Sequence, residues 1–248
     1  WMREELTAAS VPASIAPIAR ATRTTVTVAD KTHHPTMYAE SGPEVDAAEV
    51  ALLRELLRDA LAGAAFVAIC GSLPPGMPPE TVDDWIRDAH ALRVPVLADL
   101  SGEALLCAAR AGAEIVKPNE LELAEATGAA TLDAGTAILR ELGATGIVVS
   151  RGSRGLWGTD GRQSHTVPAI PGIAGNPTGA GDAATAGLLM ATHGAAPEGV
   201  LIRTLGKGLL GDYLGVLLVL PVMAMVLRAP ADRQTASALL LDGLQVML

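Results

Sequence analysis

From residue 46 to residue 150 the chain alternates short apolar strands with amphipathic helices. That rhythm predicts an α/β fold with a mostly parallel sheet covered by helices on both faces. Two further observations agree with it. Turns rich in Gly, Ser, Pro and Asn stand directly after the strands, at the carboxyl ends where such folds bind ligands. Beyond them, a glycine-rich turn, Gly175-Asn176-Pro177-Thr178-Gly179-Ala180-Gly181-Asp182, runs into the small-residue helix Ala183-Ala184-Thr185-Ala186-Gly187-Leu188-Leu189-Met190.

The elements follow in order. Residues 24–29 and 36–40 read as two strands around a polar turn, rich in Thr and Val. Asp46 and Glu49 have the spacing of a capping box, and Val50, Leu53, Leu56, Leu57 and Leu61 give the following helix one apolar face. Residues 66–69 form a buried strand that ends at the loop Gly71-Ser72-Leu73-Pro74-Pro75-Gly76. Then come a helix at 79–92, a strand at 94–98, a helix at 103–111 and a strand at 114–117. Helices at 120–127 and 134–142 precede a strand at 146–150. A hairpin follows over 156–167 with Asp160-Gly161 at its turn, and Trp157 is read as packing rather than base stacking.

The chain has 248 residues, half of them apolar and 18% charged, enough for one core with at most a small appendage. A net charge of −9 argues against a nucleic-acid surface but not against a phosphorylated small substrate, which local amides and cations would decide. Cys70 and Cys107 lack metal-ligand spacing, His33-His34 has no partner cluster, and the opening residues do not read as a signal peptide. The expectation is reduced thiols in a cytoplasmic protein. No Walker G-x-x-x-x-G-K-S/T occurs, and Gly206-Lys207-Gly208, which with Gly211 spells G-x-G-x-x-G, lacks the context of a dinucleotide site.

In the turn at 175–182, Gly179 and Gly181 allow positive φ and a close approach of backbone to ligand. The first amides of the helix are unpaired and, with the helix dipole, favour an anion. Asp182 would be repelled by bound phosphate, and makes sense there as the base that takes a proton from an attacking nucleophile. Its alternative is an ordinary acidic residue in a first helical turn.

These residues resemble the D/N-T-x-G-A-G-D signature of the ribokinase-like PfkB family of carbohydrate kinases. Three more blocks agree in order and spacing: residues 71–76, Asp99-Leu100-Ser101-Gly102-Glu103-Ala104-Leu105, and Lys117-Pro118-Asn119-Glu120-Leu121-Glu122. A fifth, Val148-Val149-Ser150-Arg151-Gly152-Ser153-Arg154-Gly155, stands at the family's nucleotide-binding strand and turn. The set is most similar to the sugar-phosphate branch, that of 1-phosphofructokinase and tagatose-6-phosphate kinase. The resemblance covers about residues 1–200 and implies a helix-sandwiched, mostly parallel sheet with a small β lid at about 22–41.

The resemblance also implies roles. Asp182 would be the general base, and Gly179, Ala180 and Gly181 would offer amides to the moving phosphoryl group. Asn119 and Glu122, with Asp99, would organise Mg²⁺ and water, for which oxygen ligands are suited. Read locally, Asn119 and Glu122 make an equally good helix cap. Lys117, Asn119, Ser150, Gly152 and Gly155 would bind ATP, while Lys117 read alone is a strand-end partner for a carboxylate. Arg23 would grip the substrate's own phosphate with Ser72 nearby, a task that suits a planar guanidinium.

Two departures from the family pattern stand out. The chain opens Trp1-Met2 and looks like a piece of a longer protein, short of the first strands, a sugar-gripping aspartate and a Gly-Gly pair. Residues 201–248 form an atypical hydrophobic C-terminal segment. Within it, 209–227 reads first as a buried helix and second as a membrane helix. The uninterrupted apolar run, 214–227, would span only about 21 Å as a helix, against roughly 30 Å of bilayer hydrocarbon.

The expected activity is ATP- and Mg²⁺-dependent phosphorylation of a hydroxyl on fructose 1-phosphate, fructose 6-phosphate or tagatose 6-phosphate, with a homodimer formed through the lid. The alternative is a catalytically incomplete fragment that binds nucleotide weakly or only packs, possibly fused to a membrane segment.

Overall fold

The computed structural model describes residues 2–8, 13–28, 36–169, 179–192 and 223–228. A short helix, α1 (Met2–Ala8), precedes the antiparallel pair β1 (Thr25–Val28) and β2 (Thr36–Ala39), in which Val26 stands opposite Tyr38. These are the two strands read from the sequence at the position of the expected lid. The α/β succession then runs α2 (Ala47–Leu61), β3 (Ala64–Cys70), α3 (Thr81–Ala91), β4 (Val96–Asp99), α4 (Gly102–Arg110), β5 (Ile115–Val116), α5 (Glu120–Thr127), α6 (Leu132–Leu142) and β6 (Gly146–Ser150). The antiparallel hairpin β7 (Leu156–Thr159) and β8 (Ser164–Val167) follows, and then α7 (Ala180–Thr192) and β9 (Met223–Arg228).

The large sheet has the order β8-β7-β6-β5-β4-β3-β9. Its centre, β3 to β6, is parallel, as predicted. The strands have apolar residues on both sides because both faces are covered. Val67, Ile69, Val96, Ala98, Val116, Ile147 and Val149 pack with residues of α2 to α6. Their neighbours Phe66, Ala68 and Leu97 point the other way and meet Leu189 of α7. Helix α7 thus covers the face opposite α2–α6, and each full burial of such a side chain contributes about 1.5–3 kcal/mol.

Local chemistry explains the element ends. Asp46 caps α2 by accepting from the Ala48 and Glu49 amides, and Glu49 returns a bond to the Asp46 amide, which completes the predicted capping box. Helix α3 starts at Thr81 rather than at 79, after two prolines that precede it as a turn. The β7–β8 turn closes through Asp160, whose Oδ1 accepts from the amides of Arg162 and Gln163. Trp157 packs on the core, as read from the sequence.

Helices α2 and α3 are joined by ion pairs. Arg54 Nε and Arg58 Nε lie 2.7 Å and 2.8 Å from Asp88 Oδ2, and Arg54 Nη1 lies 2.8 Å from Asp84 Oδ2. Burial opposes the charge on Asp88, but the two guanidiniums outweigh it and hold its carboxyl down at about 2.

One expectation is corrected. Residues 223–227 belong to a strand, not to a helix over 209–227. Strand β9 runs antiparallel along β3, from Cys70 opposite Met223 to Ala64 opposite Arg228, with an irregularity between Ala64 and Phe66. The edge of β3 offers a row of backbone groups, and hydrogen bonding along it outweighs helix propensity in this short piece. Pro221 also opposes a helix running through this stretch. The remainder of that stretch, 209–222, lies outside the described residues. Among the described residues no helix is long and apolar enough to cross a membrane.

Candidate active site

The carboxyl ends of β3, β4, β5 and β6 present Cys70, Asp99, Lys117 and Ser150 on one side of the sheet. Lys117 follows β5 and keeps its register, its amide donating to the Ala98 carbonyl at 2.8 Å. Apolar strand residues carry the lysine inward, so it is only 3% exposed. Its ammonium nitrogen lies 2.9 Å from Asp99 Oδ2. A buried cation needs such a partner.

Helix α7 begins beside this pair. Gly179, at φ +85°, turns the chain into the helix, and the space around its missing side chain is open. Gly181 is not in the positive-φ region, against the sequence expectation. Its contribution is closeness: a side-chain carbon added there would lie 3.8 Å from Lys117 Nζ. The lysine therefore stands beside the first turn of α7, where backbone amides lack helical partners. Residues 175–178 of the predicted turn lie outside the described residues.

Asp182 occupies that first turn. It is an exposed residue, yet burial of its carboxyl raises the pKa above the ordinary aspartate value. The negative charge of Asp99 adds to the rise and Lys117 opposes it. The same charges act on Cys70. Burial foremost, then Asp99, push its thiol up to about 12, so it is no thiolate nucleophile.

Asn119 and Glu122 form the capping box that local reading offered. Asn119 Oδ1 accepts from the Glu122 amide and Glu122 Oε2 accepts from the Asn119 amide, each at 2.8 Å. Burial raises the pKa of Glu122; its bond from the Asn119 amide lowers it, and Asp99 raises it further. Among the described residues no three His, Cys, Asp or Glu side chains gather as a direct metal cage. Asp99 and Glu122 are instead hard oxygen donors in mutual electrostatic reach. The described hydrogen bonds use one carboxylate oxygen of each, which suits a Mg²⁺ ion that keeps most of its waters.

Ser150 lies beside Asn119 through a parallel bridge, its amide donating to the Pro118 carbonyl at 3.1 Å. Gly152 and Gly155 flank the next turn. At Gly155, φ +81°, an added side-chain carbon would stand 2.0 Å from the Val167 carbonyl oxygen, so hairpin and turn meet there. Glu120 ties this turn to α5, accepting from Arg151 Nε at 3.0 Å and from Arg154.

Arg23 donates from Nη2 to Ser72 Oγ at 3.1 Å, and its buried Nε has no partner among the described residues. Both residues resemblance assigned to the substrate phosphate are thus together. Arg23 and Arg20 face an open cleft of about 580 Å³ with Glu40, Ser41, Glu44 and Pro75. The Gly71 amide donates to the Asp99 carbonyl at 3.1 Å, so the loop that bears Ser72 hangs on the strand that bears Asp99.

Sequence reasoning missed Thr185, whose hydroxyl donates to Asp99 Oδ2 at 2.7 Å, and the Glu120 clamp. Thr185 lies three residues after Asp182 on a helix, a spacing that places it near the same face and was readable. Glu120 carried no such signal, because an acidic residue in a first helical turn is ordinary.

The sequence profile of pfkB family carbohydrate kinases matches residues 1–195. The chain belongs to the pfkB family. It is similar to a 1-phosphofructokinase of Haemophilus influenzae, 36% identical over 130 residues that make up 50% of this chain and 42% of that protein. It is also similar to an ATP-dependent 6-phosphofructokinase isozyme 2 of Mycobacterium tuberculosis, 34% identical over 190 residues, 73% of this chain and 55% of that one. This pfkB family member therefore spans about half the length of these two relatives. A solved structure of phosphofructokinase-2 from Escherichia coli superposes with a TM-score of 0.72 at 25% identity, covering 95% of this chain and 76% of the other. The ribokinase-like architecture expected from the sequence is the one observed.

Proposed function

We propose that this pfkB family chain transfers the γ-phosphoryl group of ATP to a hydroxyl of a phosphorylated hexose: fructose 1-phosphate, fructose 6-phosphate or tagatose 6-phosphate. The observation that carries this reading is the meeting of Lys117 with the first turn of α7, beside Asp182. There a cation and free amides face developing negative charge, and a carboxylate of raised pKa stands by to take a proton.

In this reading Asp182 accepts the acceptor hydroxyl's proton as its oxygen attacks the γ-phosphorus. The new O–P bond forms while the bond to the β-phosphate oxygen breaks, and ADP leaves with that electron pair. The amides of Gly179, Ala180 and Gly181 hold the moving phosphoryl group, and Lys117 adds its charge. Asp99, Asn119 and Glu122 would hold Mg²⁺ through oxygens and water. Bound there with ATP, the ion supplies neutralisation of phosphate charge. Ser150, Gly152 and Gly155 line the nucleotide, while Arg23 and Ser72 bind the phosphate the sugar already carries. Names of the relatives, both phosphofructokinases, support the substrate class.

The lid fits pairing with a second copy. Val26, Val28 and Tyr38 are exposed, and the β1–β2 register puts all three on one face. Sedimentation of the purified chain at rising concentration tests it, and a monomer throughout removes the dimer.

The deciding experiment measures ADP release by the purified chain with Mg-ATP, alone and with each of the three hexose phosphates and the free hexoses. Turnover that depends on one hexose phosphate supports the proposal and identifies the substrate. ATP binding without sugar-dependent turnover overturns it in favour of an incomplete kinase.

A further inference from the structure

We propose that Thr185 is a positioning residue for phosphoryl transfer: by donating its hydroxyl to Asp99 it holds the first turn of α7, with Asp182, in register with the Lys117–Asp99 pair. The inference rests on the kinase reading above.

A threonine inside a helix ordinarily turns its hydroxyl back to the carbonyl four residues earlier. For Thr185 that is Gly181 O, at 3.2 Å. The shorter contact is the one across elements, 2.7 Å to Asp99 Oδ2. A hydroxyl has one proton, and the charged acceptor at the shorter distance takes it. Asp99 Oδ2 is then shared between Thr185 on α7 and Lys117 after β5, at 2.7 Å and 2.9 Å. Thr185 is only 2% exposed, so water does not replace this bond. Its branched Cβ restricts χ1 and keeps the hydroxyl aimed.

The consequence is geometric. Lys117 stands beside α7 at Gly181, where a side-chain carbon would meet its Nζ at 3.8 Å, and Asp99 is bonded to α7 at Thr185, so the strand-end pair faces the helix at two places one turn apart. Asp182 lies between those places, and the amides of Gly179, Ala180 and Gly181 lead up to the first of them. Loss of the hydroxyl leaves the helix held by its apolar packing through Leu189, without the directional bond that fixes its first turn against the strand-end pair. Transfer geometry is sensitive to such displacement, whereas ground-state affinity for ATP and sugar is less so.

The test uses the full chain with Thr185→Val, which keeps shape and loses the proton, and Thr185→Ser, which keeps the proton. Expected for Thr185→Val is a kcat lower by about ten- to hundredfold, the size of one charge-assisted hydrogen bond, with KM for ATP and sugar little changed. Thr185→Ser restores most of the kcat.

A double-mutant cycle of Thr185→Val with Asp99→Asn, read by thermal melting, tests the link without any need for turnover. The expected result is a melting shift in the double variant clearly smaller than the sum of the singles. Additive shifts overturn the inference, and so does a Thr185→Val chain with wild-type kcat or a fall that serine fails to rescue. A wild-type chain that turns over none of the hexose phosphates sinks the kinase reading, and the positioning role with it, whatever the melting cycle gives.

Discussion

Lys117 and Asp99 stand at the ends of neighbouring strands with 2.9 Å between ammonium and carboxylate, the lysine buried and the aspartate nearly so. Removing one member leaves the other's charge unpaired. Lys117→Met is expected to destabilise the chain by about 3 kcal/mol, the lower end for a broken buried pair because the Asp99 side chain keeps 18% exposure. It should also weaken ATP binding. The double variant Lys117→Met/Asp99→Asn should unfold at higher urea than Lys117→Met alone. Equal denaturation midpoints for all three chains would show that the pair is not coupled.

Asp182 is where stability and activity should part. Burial raises its folded pKa above the unfolded value, so the carboxylate present at neutral pH opposes folding. Asp182→Asn is expected to raise Tm while lowering kcat by about 10²- to 10⁴-fold. The acid limb of the wild-type kcat/KM profile should fall above the ordinary aspartate pKa of about 3.9. A variant with normal turnover removes Asp182 from the base role.

Arg23→Ala should raise KM for the hexose phosphate by roughly ten- to hundredfold, the scale of a lost bond to a charged group, with the KM for ATP unchanged. Initial rates over a sugar-phosphate series measure it. An unmoved KM would assign the Arg23–Ser72 bond to lid packing alone.

Two glycines of one turn should respond unequally. Gly152, φ +56°, has open space around it, so Gly152→Ala carries only the backbone cost of about 1 kcal/mol. Gly155→Ala would also drive a methyl into the Val167 carbonyl, 2.0 Å from the ideal position, and should cost roughly 3 kcal/mol or more. Urea titrations of the two variants compare them directly, and similar losses would contradict the close approach.

The acid response should run through Asp88. Its folded pKa of about 2 lies below an unfolded value of about 3.9. The stabilisation it provides is therefore present above pH 4 and lost as pH falls towards 2. Melting scans across that window should show a steeper decline for the wild type than for Asp88→Asn. Parallel declines would mean that Arg54 and Arg58 do not set its charge.

The centre of the fold was legible because strands buried on both faces need continuous apolar runs, and helices between them need one apolar stripe. Residues 120–127 and 146–150 were readable to the residue, where caps or polar turns mark the ends. Strand β9 was not legible. Its side chains suit a helix or a strand, and the choice depends on an open β3 edge more than 150 residues earlier in the chain. The site was legible as residue types at strand ends. Part of its wiring was legible too, since the spacing of Asn119 and Glu122 reads as the cap they form; the Thr185–Asp99 bond was not, because helical spacing places Thr185 near Asp182 but names no partner 86 residues away.

The Thr185–Asp99 bond joins residues 86 apart in sequence. During synthesis, β3 to β6 can assemble in chain order as they emerge, each adding to its predecessor. Asp99 and Lys117 must wait, exposed at the sheet's end, until α7 has left the ribosome and docked on the far face. Enclosure of the Lys117–Asp99 end of the sheet is thus set by the arrival of α7 and not by the pairing of β3 to β6.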